Sequence, residues 1–265
     1  MRKTTWFLVC CWSVSCAAGC NGRLSQEAER LLDAGKLAYQ SGDDGGAVRT
    51  MDLFLKDNAG SRRAEEAYYY RGLAKYRMRN LGAARADFQE ALDRARSDAV
   101  KAAAMIALGD LAYDTNDLAV AEKMYADVLK RMEAEKISDK APADHVYYRL
   151  GCTLQRQGRW YEADSHFDRV MYLFAGTELA RRSELHVRCT AWTIQAAAFT
   201  DKSGADATAA ALRSRDFPVE TQPALRDGKL VFLVCVGRYA TFAQAEPNLP
   251  RVRRHYGDAF ITTTR

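Results

Sequence analysis

The sequence predicts a multidomain chain in which an all-α array of helical repeats is followed by a small α+β domain. Three observations predict it. A pattern of small and large residues recurs four times between residues 27 and 188, in a stretch rich in Ala, Leu, Arg and Glu whose single proline is Pro142. A second phrase, an apolar strand followed by a turn and a short helix, occurs twice between residues 190 and 265. A short apolar segment ends at Cys20, before either pattern begins.

The N-terminal segment sets the compartment. Arg2 and Lys3 precede an apolar run, Thr4 to Ala18, that is too short to cross a bilayer as a stable helix. Small residues Ala17, Ala18 and Gly19 then lead into Cys20. This resembles a bacterial lipobox, with Ala17 where that family usually has leucine. The resemblance implies that residues 1–19 are a signal peptide, that Cys20 carries lipid and that residues 20–26 are a tether. Asn21 in the next position resembles outer-membrane sorting. The expected setting is the cell envelope, with the chain lipid-anchored in the outer membrane and facing the periplasm. The alternatives are an ordinary signal peptide cut near Ala18 and a retained membrane helix.

Charge and cysteine content narrow the partners. The formal charge of +5 falls to +3 without Arg2 and Lys3, far from the strongly basic footprint of a nucleic-acid binder. Of seven cysteines, Cys10, Cys11 and Cys16 fall in the signal segment and Cys20 at the lipid site, leaving Cys152, Cys189 and Cys235. These lack metal or redox spacing and read as small apolar residues, with a Cys189–Cys235 disulfide as the alternative.

The first pattern reads Gly35…Ala47…Met51, Gly72…Ala84…Phe88, Gly109…Ala121…Tyr125 and Gly151…Ala163…Phe167. The small residues let two helices of a hairpin approach, and the large residue fills the groove beside them. Turn residues separate the helices at Ser41-Gly-Asp43, Arg79-Asn80, Thr115-Asn-Asp117 and Gln157-Gly158. The phrase resembles the tetratricopeptide (TPR) repeat, most clearly at Tyr147, Leu150, Gly151, Gly158, Ala163 and Phe167. The starts lie 37, 37 and 42 residues apart, longer than the TPR unit of about 34, with the excess in second helices or loops such as Glu133 to Asp144. Arg71 and Lys75 occupy positions that are usually apolar. A TPR array implies a groove for a protein partner. The clusters Tyr68–Tyr70 with Tyr76, and Tyr147, Tyr148, Trp160 and Tyr161, read as core between repeats. Leu179 to Val187 reads as a capping helix.

The second pattern supplies β1 from Ala191 to Phe199, a helix from Ala205 to Arg215, a strand from Phe217 to Gln222, another from Leu230 to Tyr239, a helix towards Tyr256 and a last strand from Ala259 to Thr264. This βαββαβ order closes a four-stranded antiparallel sheet with both helices on one face, the ferredoxin-like arrangement. Alternation sends Trp192, Ile194 and Ala196 to the helices and Thr193, Gln195 and Ala197 to the open face. In the third strand, Phe232, Val234 and Val236 suit the helices, and Val231, Leu233 and Cys235 the open face. Pro247 and Pro250 are expected to break the second helix and restart it, with Arg251, Arg253 and Arg254 grouped beside it.

Residues Trp192–Phe199, Asp216–Val219, Phe232–Tyr239 and Ala243–Glu246 resemble a SPOR domain, the module that binds peptidoglycan glycan strands stripped of stem peptides. The resemblance covers residues 190–265. It implies glycan contacts on the open face at Gln195, Ala198, Val231, Leu233 and Arg238. Here Leu233 stands in place of the usual arginine, and Arg238 and Tyr239 in place of Pro-Phe. The open face is therefore more apolar than a sugar-binding face: either Arg238, Lys229 or Arg226 supplies the missing polar contact, or the face has turned towards another partner, such as the chain's own repeat array.

No catalytic constellation is present: His145, His166, His186 and His255 are scattered, and no nucleophile elbow, zinc motif or carboxylate dyad occurs. The chain is expected to be a non-enzymatic envelope lipoprotein without metal or cofactor, binding peptidoglycan through the SPOR-like sheet and an envelope protein through the array. The alternative is an adaptor whose sheet no longer binds glycan. An RNA-recognition module shares the strand order but needs exposed aromatic and basic residues that the third strand lacks.

Overall fold

The computed structural model describes residues 24–135, 142–226 and 228–265. The expected signal segment, the lipid site Cys20 and most of the tether lie outside the described residues, as does the centre of the Glu133–Asp144 loop. Among the described residues, nine helices precede the first strand: α1 Gln26–Gln40, α2 Asp44–Asn58, α3 Ala64–Arg77, α4 Leu81–Arg94, α5 Asp98–Asp114, α6 Leu118–Glu135, α7 Ala143–Arg156, α8 Trp160–Leu173 and α9 Glu178–His186. No described helix is long and apolar enough to cross a membrane.

The helices pair as successive hairpins, α1–α2, α3–α4, α5–α6 and α7–α8, with α9 packed on α7 and α8. Each hairpin turns at the expected residues. The backbone becomes left-handed at Gly42, Arg79, Asn116 and Gly158, with φ of 88°, 62°, 61° and 82°, which terminates the first helix of each pair. Asp43 and Asn80 then cap the following helix by accepting from the N–H groups of Gly46 and Ala83.

The recurring glycines are required by close approach. A Cβ on Gly35 would lie 2.7 Å from Met51 Cε, one on Gly72 2.7 Å from Phe88 Cδ1, one on Gly109 2.8 Å from Tyr125 Cε1, and one on Gly151 2.8 Å from Phe167 Cε1. Ala47, Ala84, Ala121 and Ala163 are fully buried, as are the four large residues. Alanine at Gly72, Gly109 or Gly151 must displace a rigid ring, whereas at Gly35 it meets the flexible end of Met51. Alanine at the first three positions is expected to cost about 1–3 kcal/mol. Gly35→Ala should cost less, because the Met51 side chain can swing aside and leave the helix-propensity gain of up to about 1 kcal/mol, common to all four positions, largely unopposed. Urea unfolding of the four variants tests this, and equal losses at all four positions would contradict it.

Arg71 and Lys75, the departures from an apolar pattern, share one buried acid. Arg71 Nη2 lies 2.6 Å and Lys75 Nζ 2.8 Å from the carboxylate of Asp87, which is 4% exposed. The first helices of successive hairpins also touch one another, α1–α3, α3–α5, α5–α7 and α7–α9, and so form the inner layer of the array. Half-buried tyrosines stand along that layer at Tyr39, Tyr69, Tyr70, Tyr76, Tyr113 and Tyr148. Arg149 and Arg156 flank Tyr113, 4.1 and 4.0 Å from its ring centroid. The aromatic clusters thus only partly form core. Tyr147 is buried, but Tyr161 is 89% exposed, because it points away from every neighbouring helix at the start of α8.

The C-terminal domain contains β1 Ala191–Phe199, α10 Lys202–Arg213, β2 Val219–Arg226, β3 Lys229–Tyr239, α11 Phe242–Ala245, a 3-10 turn Glu246–Asn248, α12 Leu249–Arg253 and β4 Phe260–Thr264. All pairings are antiparallel, in the order β2-β3-β1-β4. Ile194, Leu212, Val234, Val236 and Val252 form the core between sheet and helices. Pro247 lies in the 3-10 turn and Pro250 in the first turn of α12, so the second helix is broken as the prolines require.

Two irregularities change which side chains share a face. Between Gln195 and Ala197 the β1 strand carries one residue more than β3. Ala196 is buried in the helix-side core, and Ala197 pairs with Val234, which is also on that side. This corrects the expectation that Ala197 faces outward, and it puts Ala198 opposite Leu233 on the open face. The second irregularity lies on β3 at Gly237, with φ of 72°, so Tyr239 rather than Arg238 shares the helix side with Val236.

The two domains meet at Trp192. Its ring lies across the face of Phe242 at 5.2 Å and against Trp160 at 5.8 Å, and its Nε1 donates to the Gln155 carbonyl at 2.9 Å. Trp160 Nε1 donates in turn to the Ala240 carbonyl at 3.2 Å. Trp192 was expected to pack on the helices of its own domain. It does touch α11, but its indole is shared with the end of the array.

Candidate functional site

The sheet face away from α10 and α12 forms a groove. Its floor is built from alternate residues of three strands: Thr193 and Gln195 on β1, Leu233 and Cys235 on β3, and Thr262 and Thr264 on β4. The twisted β2–β3 hairpin forms one wall with Gln222, Leu225, Arg226 and Leu230, and α9 contributes Leu185 and His186 to the other. The groove is open to solvent and has a volume of about 1090 Å³, slightly above the usual range of about 300–1,000 Å³ for single-ligand pockets.

The polar groups of the floor are already ordered. Gln195 is 5% exposed and Thr193 1% exposed. Gln195 Oε1 accepts from Arg226 Nη2 at 2.8 Å, Thr193 Oγ1 donates to the Val236 carbonyl at 3.3 Å, and Thr264 Oγ1 donates to Gln222 Oε1 at 3.0 Å. The rim is apolar, with Leu185 73%, Leu225 76% and Leu230 52% exposed. Cys189 and Cys235 both line the groove as free thiols, so the alternative disulfide is not formed. Burial pushes the Cys235 thiol up to about 11 against an opposing hydrogen bond with Thr193, which keeps it protonated and unreactive.

The capping helix is fixed to the array by a buried polar relay. His186 Nδ1 lies 2.9 Å from Gln155 Oε1, and Gln155 Nε2 donates to the His186 carbonyl at 2.7 Å. Burial holds the His186 imidazole below its ordinary 6.5, so it is neutral at pH 7. The carbonyl of Gln155 receives Trp192, and one glutamine therefore joins α7, α9 and β1.

Of the five residues expected to contact glycan, Gln195 and Leu233 line the groove, and Ala198, Val231 and Arg238 do not. Ala198 is exposed on the same face beyond the lining. Val231 is half-buried, because the hairpin twist presents Leu230 and Leu225 at the rim instead. Arg238 stands past the β3 irregularity, where it donates to Thr190 Oγ1 at 2.7 Å and to the Arg265 carbonyl at 3.0 Å. Of the three cations considered from sequence, Arg226 lines the groove, and Lys229 and Arg238 do not. The threonines of β4 and the contribution of α9 were not foreseen. The Thr262-Thr263-Thr264 run carried the first signal, since alternate residues there must share the open face. Among the described residues, no group of His, Cys, Asp or Glu is arranged to hold a metal.

Residues 190–263 match the SPOR domain family, a peptidoglycan-binding family, which implies a cell-envelope setting. No curated protein matches the chain. Among solved structures, the crystal structure of MamA shares 16% identity with a TM-score of 0.50, over 62% of this chain and 80% of that one. The crystal structure of BtubC from P. vanneervenii shares 20% identity with a TM-score of 0.51, over 57% of this chain and 65% of that one. These likenesses are of fold alone, and residues 26–186 form a TPR-like helical array. SPOR and TPR-repeat families are non-catalytic binding modules.

Proposed function

We propose that this protein is a non-enzymatic tether of the cell envelope. The C-terminal groove holds glycan strands stripped of stem peptides, the array holds a second protein through its tyrosine-lined inner layer, and lipid on Cys20 anchors both at the outer membrane, facing the periplasm. The partner belongs to division, wall-remodelling or envelope-assembly machinery. The observation that carries the reading is the Gln195 amide and the hydroxyls of Thr193, Thr262 and Thr264 beside Leu233 and Cys235 in the floor, inside a leucine rim, within the stretch that matches a peptidoglycan-binding family. Glutamine and threonine side chains both donate and accept, as sugar hydroxyls do, and leucine covers the C–H faces of a sugar. A single site of this kind binds weakly, and membrane anchoring raises occupancy through effective concentration.

The test is retention of the detergent-solubilised full chain on sacculi before and after amidase treatment. Retention should rise with treatment. Gln195→Ala should lower affinity roughly fivefold, as expected for one hydrogen bond worth about 1 kcal/mol. A second reading, an adaptor whose sheet does not bind glycan, is favoured by the fact that Gln195 is already engaged by Arg226. Retention no greater than that of a control protein on treated sacculi would establish the adaptor and sink the glycan reading.

A further inference from the structure

We infer that the groove reads a negative charge on its glycan and that Arg226 is the residue that reads it. The inference deepens the glycan reading and rests on it. Arg226 reaches from the hairpin to the floor, where its partner is the neutral amide of Gln195 at 2.8 Å. The lining contains Arg226 and Arg265 and, among the described residues, no aspartate or glutamate. Glu220, on the same strand as Gln222, stays outside the lining and accepts from Gln222 Nε2 at 3.3 Å. The contrast with the array is clear: Arg71 is paired with Asp87, Arg149 with Asp110, and Arg159 with Glu122 and Glu162.

A guanidinium facing a cavity whose described lining holds no acid favours anions there, and its planar fork fits a carboxylate through two parallel N–H groups. A neutral amino-sugar chain has no group of that kind. A glycan whose stem peptide has been removed by amide hydrolysis does, because cleavage of each amide leaves a carboxylate on the sugar-borne acid. Arg226 therefore makes loss of the peptide a gain in binding and not only a relief of crowding. On entry the carboxylate replaces Gln195 as the partner of Arg226, and Gln195 Oε1 becomes free to accept from a sugar hydroxyl. One exchange of hydrogen bonds thus opens the floor without moving the backbone.

The experiment measures affinity of the detergent-solubilised full chain for three probes by calorimetry: stripped glycan strands, the same strands with their carboxylates converted to methylamides, and chitin oligosaccharides, which lack the carboxylate. The native protein should prefer the free carboxylate to the methylamide by about tenfold or more, the effect of one charge-assisted contact. Arg226→Gln should bind the charged and amidated strands alike, and Arg226→Lys should retain part of the preference. Equal affinity of the native protein for charged and amidated strands overturns the inference while leaving glycan binding in place, and needs no variant to fold. A preference that survives in Arg226→Gln overturns it as well. Failure to bind any of the three probes overturns both the inference and the glycan reading.

Discussion

Replacing Trp192 with alanine is expected to cost about 3–5 kcal/mol, the range for truncating a large buried aromatic, and to separate one thermal transition into two. Trp192 is 8% exposed, and its ring is held by Phe242 and Trp160. Its removal also strands the Gln155 carbonyl that accepts from Nε1. That carbonyl belongs to the residue that fixes α9 through His186, and α9 forms one wall of the groove. The loss should therefore spread from the domain joint to the site. Trp192→Phe keeps most of the apolar area and loses the hydrogen bond, so it should cost less. Scanning calorimetry measures both variants. A single transition at the native midpoint in Trp192→Ala would show that the joint does not couple the domains.

Asp110→Asn is expected to be the most damaging single-atom change in the array. The Asp110 carboxylate accepts from Tyr125 OH at 2.6 Å and Arg149 Nε at 2.8 Å, and lies 3.0 Å from His145 Nε2. It thereby joins α5, α6 and α7. Burial alone would raise its pKa. The hydrogen bond and charge of His145, the charge of Arg149 and the hydrogen bond of Tyr125 outweigh burial and hold it below the ordinary 3.8. Breaking a fully buried pair costs roughly 3–5 kcal/mol. The Asp110 side chain is 21% exposed, which places the expected loss somewhat lower. The sign of the pH dependence follows from the depressed pKa. The carboxylate's contribution is complete above its unfolded value and is lost as pH falls through the lower folded value. The stability gap between native protein and Asp110→Asn, measured by urea unfolding, should be widest near pH 7 and shrink below about pH 4. A gap that does not change with pH would contradict the account.

The array was legible because its signal is a spacing. Gly72 and Phe88 are sixteen residues apart in every reading of the chain, and their contact follows once two helices pair. The order of strands was legible for the same reason, since turn residues and alternation fix strand and helix before any packing is known. The site was less legible, because it depends on where alternation fails. One extra residue at Ala196 puts Ala197 on the helix side, and left-handed Gly237 puts Tyr239 there. Neither irregularity has a periodic signature. The burial of Gln195 was invisible as well, because it depends on Arg226, thirty-one residues away, folding back over the sheet on a twisted hairpin. The part played by Leu185 and His186 required knowing that α9 stands beside the sheet, a relation set by Trp192 and Gln155 and by no local pattern.

The most direct test of the central claim is a nuclear magnetic resonance titration of the protein with amidase-stripped glycan strands, following side-chain amides of glutamine and methyl groups of threonine. Glycan binding in the groove predicts shifts at Gln195, Gln222, Thr193 and Thr262 that saturate together, with the inner-layer residues near Tyr113 unchanged. Saturable binding that leaves those four residues unmoved, or shifts confined to the array, would contradict it.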